Sequence, residues 1–473
     1  MGRDSLLNKI KTLFSHDGKF DIGIIILFFV INILVLTNSI LHHPKIGYDV
    51  TGNINYIQIL LHRFPGPTDS NEFFSPPLSY FLPSVYDAVC NHLLPGPTEN
   101  LYGIPVIWVC RTYDGKFAQV LNFLLSLGTT FLLLVISEQV RPGNQFFKRS
   151  VLLFLALLTV YYKTFSQVRA EPYVVFFAVL SIYFLNQIIR AKSFSIKYSL
   201  FLGVSLGLLV LSRQWGFFLF PAIFLLLGLV FLWDRIAAVN YAKMLAVSFA
   251  ISALVGGWFY IHLYLTYGSF TAFNIEPQRF SFASLPSGFF TTSGLKDFQI
   301  FKAPVRPLFD KGFFPLFYSD VWGDYWGFFT YHQQILGYPD NSATVVPYLG
   351  QVNLFSILPT VLLLLGIGWG ILQLFKRNIV SSPENLSLAL ITLIAIVSLA
   401  GFMWFVINYY PADASVIKAT YIIQFFIALL FPAAGFLEVV RAKSRVVYWV
   451  IVLALTIVFV HNLPAMITNF KIW

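Results

Sequence analysis

The sequence predicts an all-α, polytopic membrane protein of about eleven transmembrane helices with two long loops on the non-cytoplasmic side. Three observations predict it. Of 473 residues, 57% are hydrophobic and only 11% are charged, against about 25% charged in soluble domains. The apolar residues gather in runs near the ~20 residues that a bilayer requires. Lys and Arg recur in every second connection between those runs. The same composition excludes a soluble globular, a disordered or a collagen-like chain.

Taken in order, the runs are 22–40, 117–136, 151–162, 172–189, 198–212, 215–233, 244–265, 352–374, 386–407, 419–436 and 446–460. The first follows a long basic segment, and no small-residue cleavage site follows it. It therefore reads as a retained span rather than a signal peptide. The run 151–162 is short unless it starts near Phe146. Runs 198–212 and 215–233 are separated only by Arg213 and Gln214. One helix through both would overshoot a bilayer, so a tight turn at Arg213 is expected. Gly203 and Gly207 make a small-xxx-small step suited to helix packing.

The basic residues set the orientation. With the N-terminus inside, the inner connections carry Lys9, Lys11 and Lys19, then Arg141, Lys148 and Arg149, then Arg190, Lys192 and Lys197. Arg235 and Lys243, Lys376 and Arg377, and Arg441, Lys443 and Arg445 complete the series. The short outer turns hold only Lys163 and Arg169, Arg213, and Lys418. This asymmetry places the C-terminus outside. It also accounts for the net charge of +10 without nucleic acid, since no basic run is long enough to track a phosphate backbone. The expected organisation is one membrane domain over 1–473, with outer loops at 41–116 and 266–350. Loops of that length are usually functional, and these two hold most of the outer acids. Cys90 and Cys110 fall in the first loop and could form at most one bridge.

The start of the first loop turns helical after Asp49. Asp49, Asn53 and Tyr56 stand at i, i+4 and i+7, spacing that presents one polar stripe. An ordinary N-cap carboxylate explains Asp49 equally simply. Glu72 precedes Pro76-Pro77, which start a new helix near Leu78. Glu171 sits at the outer mouth of the fourth run. An acid at that depth is costly unless paired, here with Arg169 or Arg213, or functional. Arg213 and Lys418 lie at one level on the outer side, where they could meet a phosphate or snorkel to lipid headgroups. The stretch around Asp320, Trp322 and Asp324 could stack on a sugar or form an interfacial aromatic belt. His42 and His43 read as surface residues. There is no His-x-x-x-His pair, no Cys-x-x-Cys and no phosphate-binding Gly-Lys-Ser/Thr loop.

These motifs together resemble the GT-C superfamily of membrane glycosyltransferases. The carriers are Asp49 after the first span, Glu72 before Pro76-Pro77-Leu78-Ser79-Tyr80, Glu171 at a later span, Phe317–Gly327 and Ile417-Lys418-Ala419-Thr420-Tyr421. Within it, the motifs resemble those of protein O-mannosyltransferase-like and aminoarabinose-transferase-like bacterial enzymes, glycosyltransferase family 39. The resemblance implies sugar transfer from a polyprenyl-phosphate donor to a lipid, glycan or protein acceptor on the non-cytoplasmic face of a prokaryotic plasma membrane. It implies Asp49 as general base and Glu171 as a second catalytic acid. It casts Glu72, Asn53, Tyr56, Arg213, Lys418, Tyr421, Asp320, Trp322 and Asp324 as substrate contacts. Val50 stands where many relatives carry a second acid, which bears on whether a divalent cation takes part. The rival class is a secondary transporter or lipid-linked glycan flippase. Such a protein would place its charges mid-span and keep its loops short.

Overall fold

A computed structural model describes residues 13–16, 19–93, 114–191, 194–276, 280–290, 296–306, 312–331, 339–410 and 414–468. The bridge between Cys90 and Cys110 lies outside what is described. Apart from a short hairpin, Ser15–His16 against Lys19–Phe20, the regular structure described is helical. The helices are α1 Ile22–Leu41, α2 Val50–Ile59, α3 Leu78–Leu93, α4 Asp114–Val140, α5 Gln145–Leu157 and α6 Thr159–Ser166. They continue with α7 Glu171–Arg190, α8 Ile196–Ser212, α9 Leu219–Trp233, α10 Arg235–Ser252 and α11 Trp258–Tyr267. The remainder are α12 Phe313–Trp322, α13 Pro339–Phe355, α14 Ile357–Leu374, α15 Pro383–Asn408, α16 Ile423–Lys443 and α17 Arg445–Asn462.

Among the described residues, 9 helical stretches are long and apolar enough to cross a bilayer. The bent pair α5–α6 meets the same criteria when its two helices are taken together, and the apolar α8, at 17 residues, falls just short of that length. Each of the eleven apolar runs thus has a helix. The protein is an all-α, multi-pass integral membrane protein. The stretch Ala419–Lys443 is the most enclosed, with 78% of its most apolar window buried, against 22% for Arg445–Met466. It is the axis on which the site is built.

Two local features position that site. The chain bends by 67° at Leu158, whose backbone is extended. The break frees a carbonyl at Ala156, and the Tyr162 hydroxyl donates to it at 3.0 Å. The bend turns α6 inward and buries Lys163, which the sequence placed in a short outer turn, against Asp320. The second feature is the close packing of α8 on α10. A Cβ at Gly203 would strike Ser248 O and Ile251, and one at Gly207 would strike Val255. Bare glycines let the backbones approach, which sets where α8 ends and Arg213 begins.

His42 is not a surface residue. It is fully buried, with Nδ1 2.9 Å from Thr468 Oγ1 and Nε2 2.9 Å from Ile46 O. Burial pushes its imidazole down to about 3, so it is neutral. It pins the start of the first loop to the C-terminal segment.

Candidate active site

The segment after α1 runs through Tyr48 and Asp49 into α2. Asp49 takes a left-handed backbone (φ 55°), uncommon for a residue with a side chain, and its carboxylate caps no helix N–H. The N-cap alternative therefore does not describe it. Its carboxylate instead meets Lys418 Nζ at 2.6 Å and accepts from the Tyr421 hydroxyl at 3.1 Å. Lys418 also donates to Tyr421 Oη at 3.0 Å. Burial disfavours the charged form of Asp49, but the Lys418 ammonium overcomes it and holds the carboxyl below the usual carboxylate range. At 26% side-chain exposure, Asp49 is the most open charged group of the site, where Lys418 is at 9%.

Lys418 is aimed by its neighbours. Asp320 Oδ2 accepts from Ala419 N at 2.7 Å, and Trp326 Nε1 donates to Ile417 O at 3.2 Å. Asp320 in turn accepts from Tyr48 Oη at 2.7 Å and pairs with Lys163 at 2.8 Å. Both members of that pair are fully buried. Asp320 therefore fixes the backbone that carries Lys418 and does not face a ligand.

A second group of charges joins the first through Tyr421. Arg169 and Arg213 lie 5.7 and 5.9 Å from the Tyr421 ring centre, and Lys418 lies at 5.1 Å. Arg169 Nε binds Glu171 Oε2 at 2.6 Å. Arg213 binds Glu72 and, at 2.5 Å, Ser75 Oγ, and its Nε stands 3.8 Å from Glu171 Oε1. Three cations and three acids thus interleave in one cluster. Arg213 and Lys418 are both buried and paired, not reaching for lipid headgroups. Two buried polar atoms are left over: Arg169 Nη1 and Glu171 Oε1 have no hydrogen-bond partner among the described residues. Orphans of this kind mark sites that a ligand or water completes.

Of the residues expected from sequence, Asp49, Glu171, Glu72, Arg213, Lys418 and Tyr421 come together. The others do not. Asn53 is spent on Val168 O at 3.0 Å and on the Tyr80 hydroxyl at 2.8 Å. Tyr56 donates to Ser75 O at 2.9 Å and stacks on Tyr80. Both hold α2 against α3, so no polar stripe with Asp49 forms. Asp324 accepts from the backbone N–H groups of Phe328, Phe329, Thr330 and Tyr331 and shapes that turn. Trp322 and Trp326 are each 2% exposed, too buried for a sugar platform or an interfacial belt. Arg169, Tyr48 and Lys163 were missed as site-building residues. Arg169 had a signal, two positions before Glu171, but Lys163 had none.

Among the described residues no three His, Cys, Asp or Glu side chains gather as metal ligands. The acids here each face a cation instead. This set does not fit a protein-bound divalent cation, and the chemistry proposed below uses none.

No family model matches the sequence, and no curated protein matches it. Solved structures similar in overall shape include three membrane proteins. One is the Archaeoglobus fulgidus oligosaccharyltransferase tethered with an acceptor peptide containing the NVT sequon, at 13% identity and a TM-score of 0.48 over 94% of this chain and 56% of that one. A second is AglB, an archaeal oligosaccharyltransferase from the same organism in complex with an inhibitory peptide and a dolichol-phosphate, at 14% identity and a TM-score of 0.44 over 95% and 56%. The third is apo ArnT from Cupriavidus metallidurans, at 12% identity and a TM-score of 0.39 over 88% and 78%. The chain spans just over half the length of the archaeal structures.

Proposed function

We propose that the protein is a GT-C-type glycosyltransferase that moves a sugar from a polyprenyl-phosphate donor to an acceptor hydroxyl on the non-cytoplasmic face. The observation that supports this reading is the cluster itself: three cations around Tyr421 beside one partly open acid. The donor is a lipid, so its phosphate must be met at the membrane surface. Arg169, Arg213 and Lys418 supply fixed positive charge there, and the orphaned Arg169 Nη1 is available to donate to an anion. The acceptor oxygen attacks the anomeric carbon and its proton passes to Asp49. The bond from that carbon to the phosphate oxygen breaks, and its electron pair leaves with the polyprenyl phosphate, whose added charge the cations stabilise.

Lys418 has two roles in this scheme. Free of donor, it neutralises Asp49. An incoming phosphate competes for the same ammonium and returns basicity to Asp49. The pH dependence tests this. Because Lys418 depresses Asp49, wild-type kcat/KM should stay high through neutral pH and fall only as pH drops through the low carboxyl range. Lys418→Met removes that attraction and leaves the burial, so the acid limb should move up by about one unit or more. Donor binding, read by 31P NMR of polyprenyl phosphate, should weaken in the same variant. An unmoved acid limb with normal donor binding would remove Lys418 from both roles.

A further inference from the structure

Asp49 faces two ways. On one side are Lys418 and Tyr421. On the other it lines a cleft of about 450 Å³ with Thr51, Asn55, Asp69 and Asn71 and the backbone of Gly47 and Gly52. The volume lies within the ~300–1,000 Å³ typical of small-molecule sites. Polar groups predominate in the cleft, with amide, hydroxyl and carboxylate side chains from Asp49, Thr51, Asn55, Asp69 and Asn71. Val50 and Pro67 are its apolar members, and among the described residues no aromatic side chain lines it.

The far wall is pre-formed. Arg63 grips Asp69 with two bonds of 2.5 and 2.9 Å, and Gly66 N donates to the same carboxylate at 2.7 Å. Asn55 Nδ2 reaches Asp69 O at 3.2 Å, and Ser70 Oγ ties the wall to Gly52 O at 2.7 Å. Asn71 lies directly over Gly52, where any Cβ would collide with its Oδ1. The missing side chain at 52 is what makes room for that amide beside α2. The side chains of Thr51 and Asn71 make no hydrogen bond to the described residues. They remain available on the same rim as the Asp49 carboxylate.

An amide and a hydroxyl each both donate and accept, which matches the neighbouring hydroxyls of a sugar ring. An acyl chain or an apolar peptide side chain would strip water from these groups and return no bonds. We propose that this cleft is the acceptor site and that the group presented to Asp49 is a sugar ring, not a serine or threonine of a peptide. This rests on the glycosyltransferase reading and adds the chemical class of the acceptor to it.

The test uses the full chain in lipid nanodiscs. Saturation-transfer NMR is recorded with methyl α-mannoside, methyl β-glucoside and a short Ser/Thr-containing peptide, each alone and in competition. At least one glycoside should bind saturably and the peptide should not displace it. The double variant Thr51→Val with Asn71→Ala should weaken glycoside binding about tenfold or more. Gly52→Ala, which pushes Asn71 aside, should act in the same direction. Thermal midpoints of both variants serve as the folding control. Binding of the peptide in place of the glycosides, or glycoside binding unchanged in folded variants, would overturn the assignment. Polyprenyl phosphate binding on the same samples separates the two claims. Its absence from the wild type strikes the donor reading, whereas missing glycoside binding beside normal phosphate binding strikes the acceptor site alone.

Discussion

If the proposed reaction is right, Asp49→Asn should lower sugar transfer by about two to four orders of magnitude, while protein amount and donor binding should survive. The amide keeps the size of the carboxylate and can still accept from Tyr421, so the local packing is preserved. What it loses is the ability to take a proton from the acceptor. Position is what recommends Asp49 for the proposed role: among the described residues of the cluster, it is the acid that both touches a cation and opens on the polar cleft. Glu171 is 2% exposed, enclosed between two arginines. Glu171→Gln should weaken donor binding by releasing Arg169, rather than abolish proton transfer. Near-normal transfer with Asp49→Asn, beside an inactive Glu171→Gln, would move the base to Glu171.

Lys163→Met should be the most destabilising single change outside the cluster. It leaves Asp320 fully buried without its cation, and breaking a buried pair from one side costs about 3–5 kcal/mol. The thermal midpoint in detergent should fall well below that of the wild type. Transfer should fall too, because Asp320 also holds Ala419 N and so aims Lys418. Adding Asp320→Asn to Lys163→Met removes the uncompensated charge. The double variant should recover part of the midpoint without regaining full transfer. A Lys163→Met protein as stable as the wild type would show that the pair does not anchor the fold.

Most spans were legible because their apolar runs come near the length a bilayer requires and basic residues recur in every second connection between them. The bend between α5 and α6 was not, since neither Pro nor Gly stands at Leu158 and only a short run hinted at it. Five residues of the cluster were legible because a charge beside the bilayer needs a partner or a use: Asp49, Glu72, Glu171, Arg213 and Lys418; Tyr421 was legible only through the motif it shares with Lys418. The five that lie outside the cluster, with internal contacts or burial, share one reason. Asn53, Tyr56, Asp320, Trp322 and Asp324 sit in motif positions, yet their contacts are set by the packed fold. Tyr48 and Asp320 are 272 positions apart, and Lys163 and Asp320 are 157 apart. Local spacing carries no record of such pairings, so a polar residue bound for the core looks the same as one bound for a ligand.

Everything proposed for the reaction depends on the cations around Tyr421 holding the donor phosphate beside Asp49. A structure of the protein bound to a short polyprenyl phosphate decides that point. The phosphate should lie within hydrogen-bond distance of Lys418 Nζ and of the Arg169 or Arg213 guanidinium. The Lys418–Asp49 contact should lengthen from 2.6 Å as the ammonium turns to the new anion. A phosphate bound instead against Arg149 and Arg441, with the Tyr421 cluster unchanged, would refute the assignment.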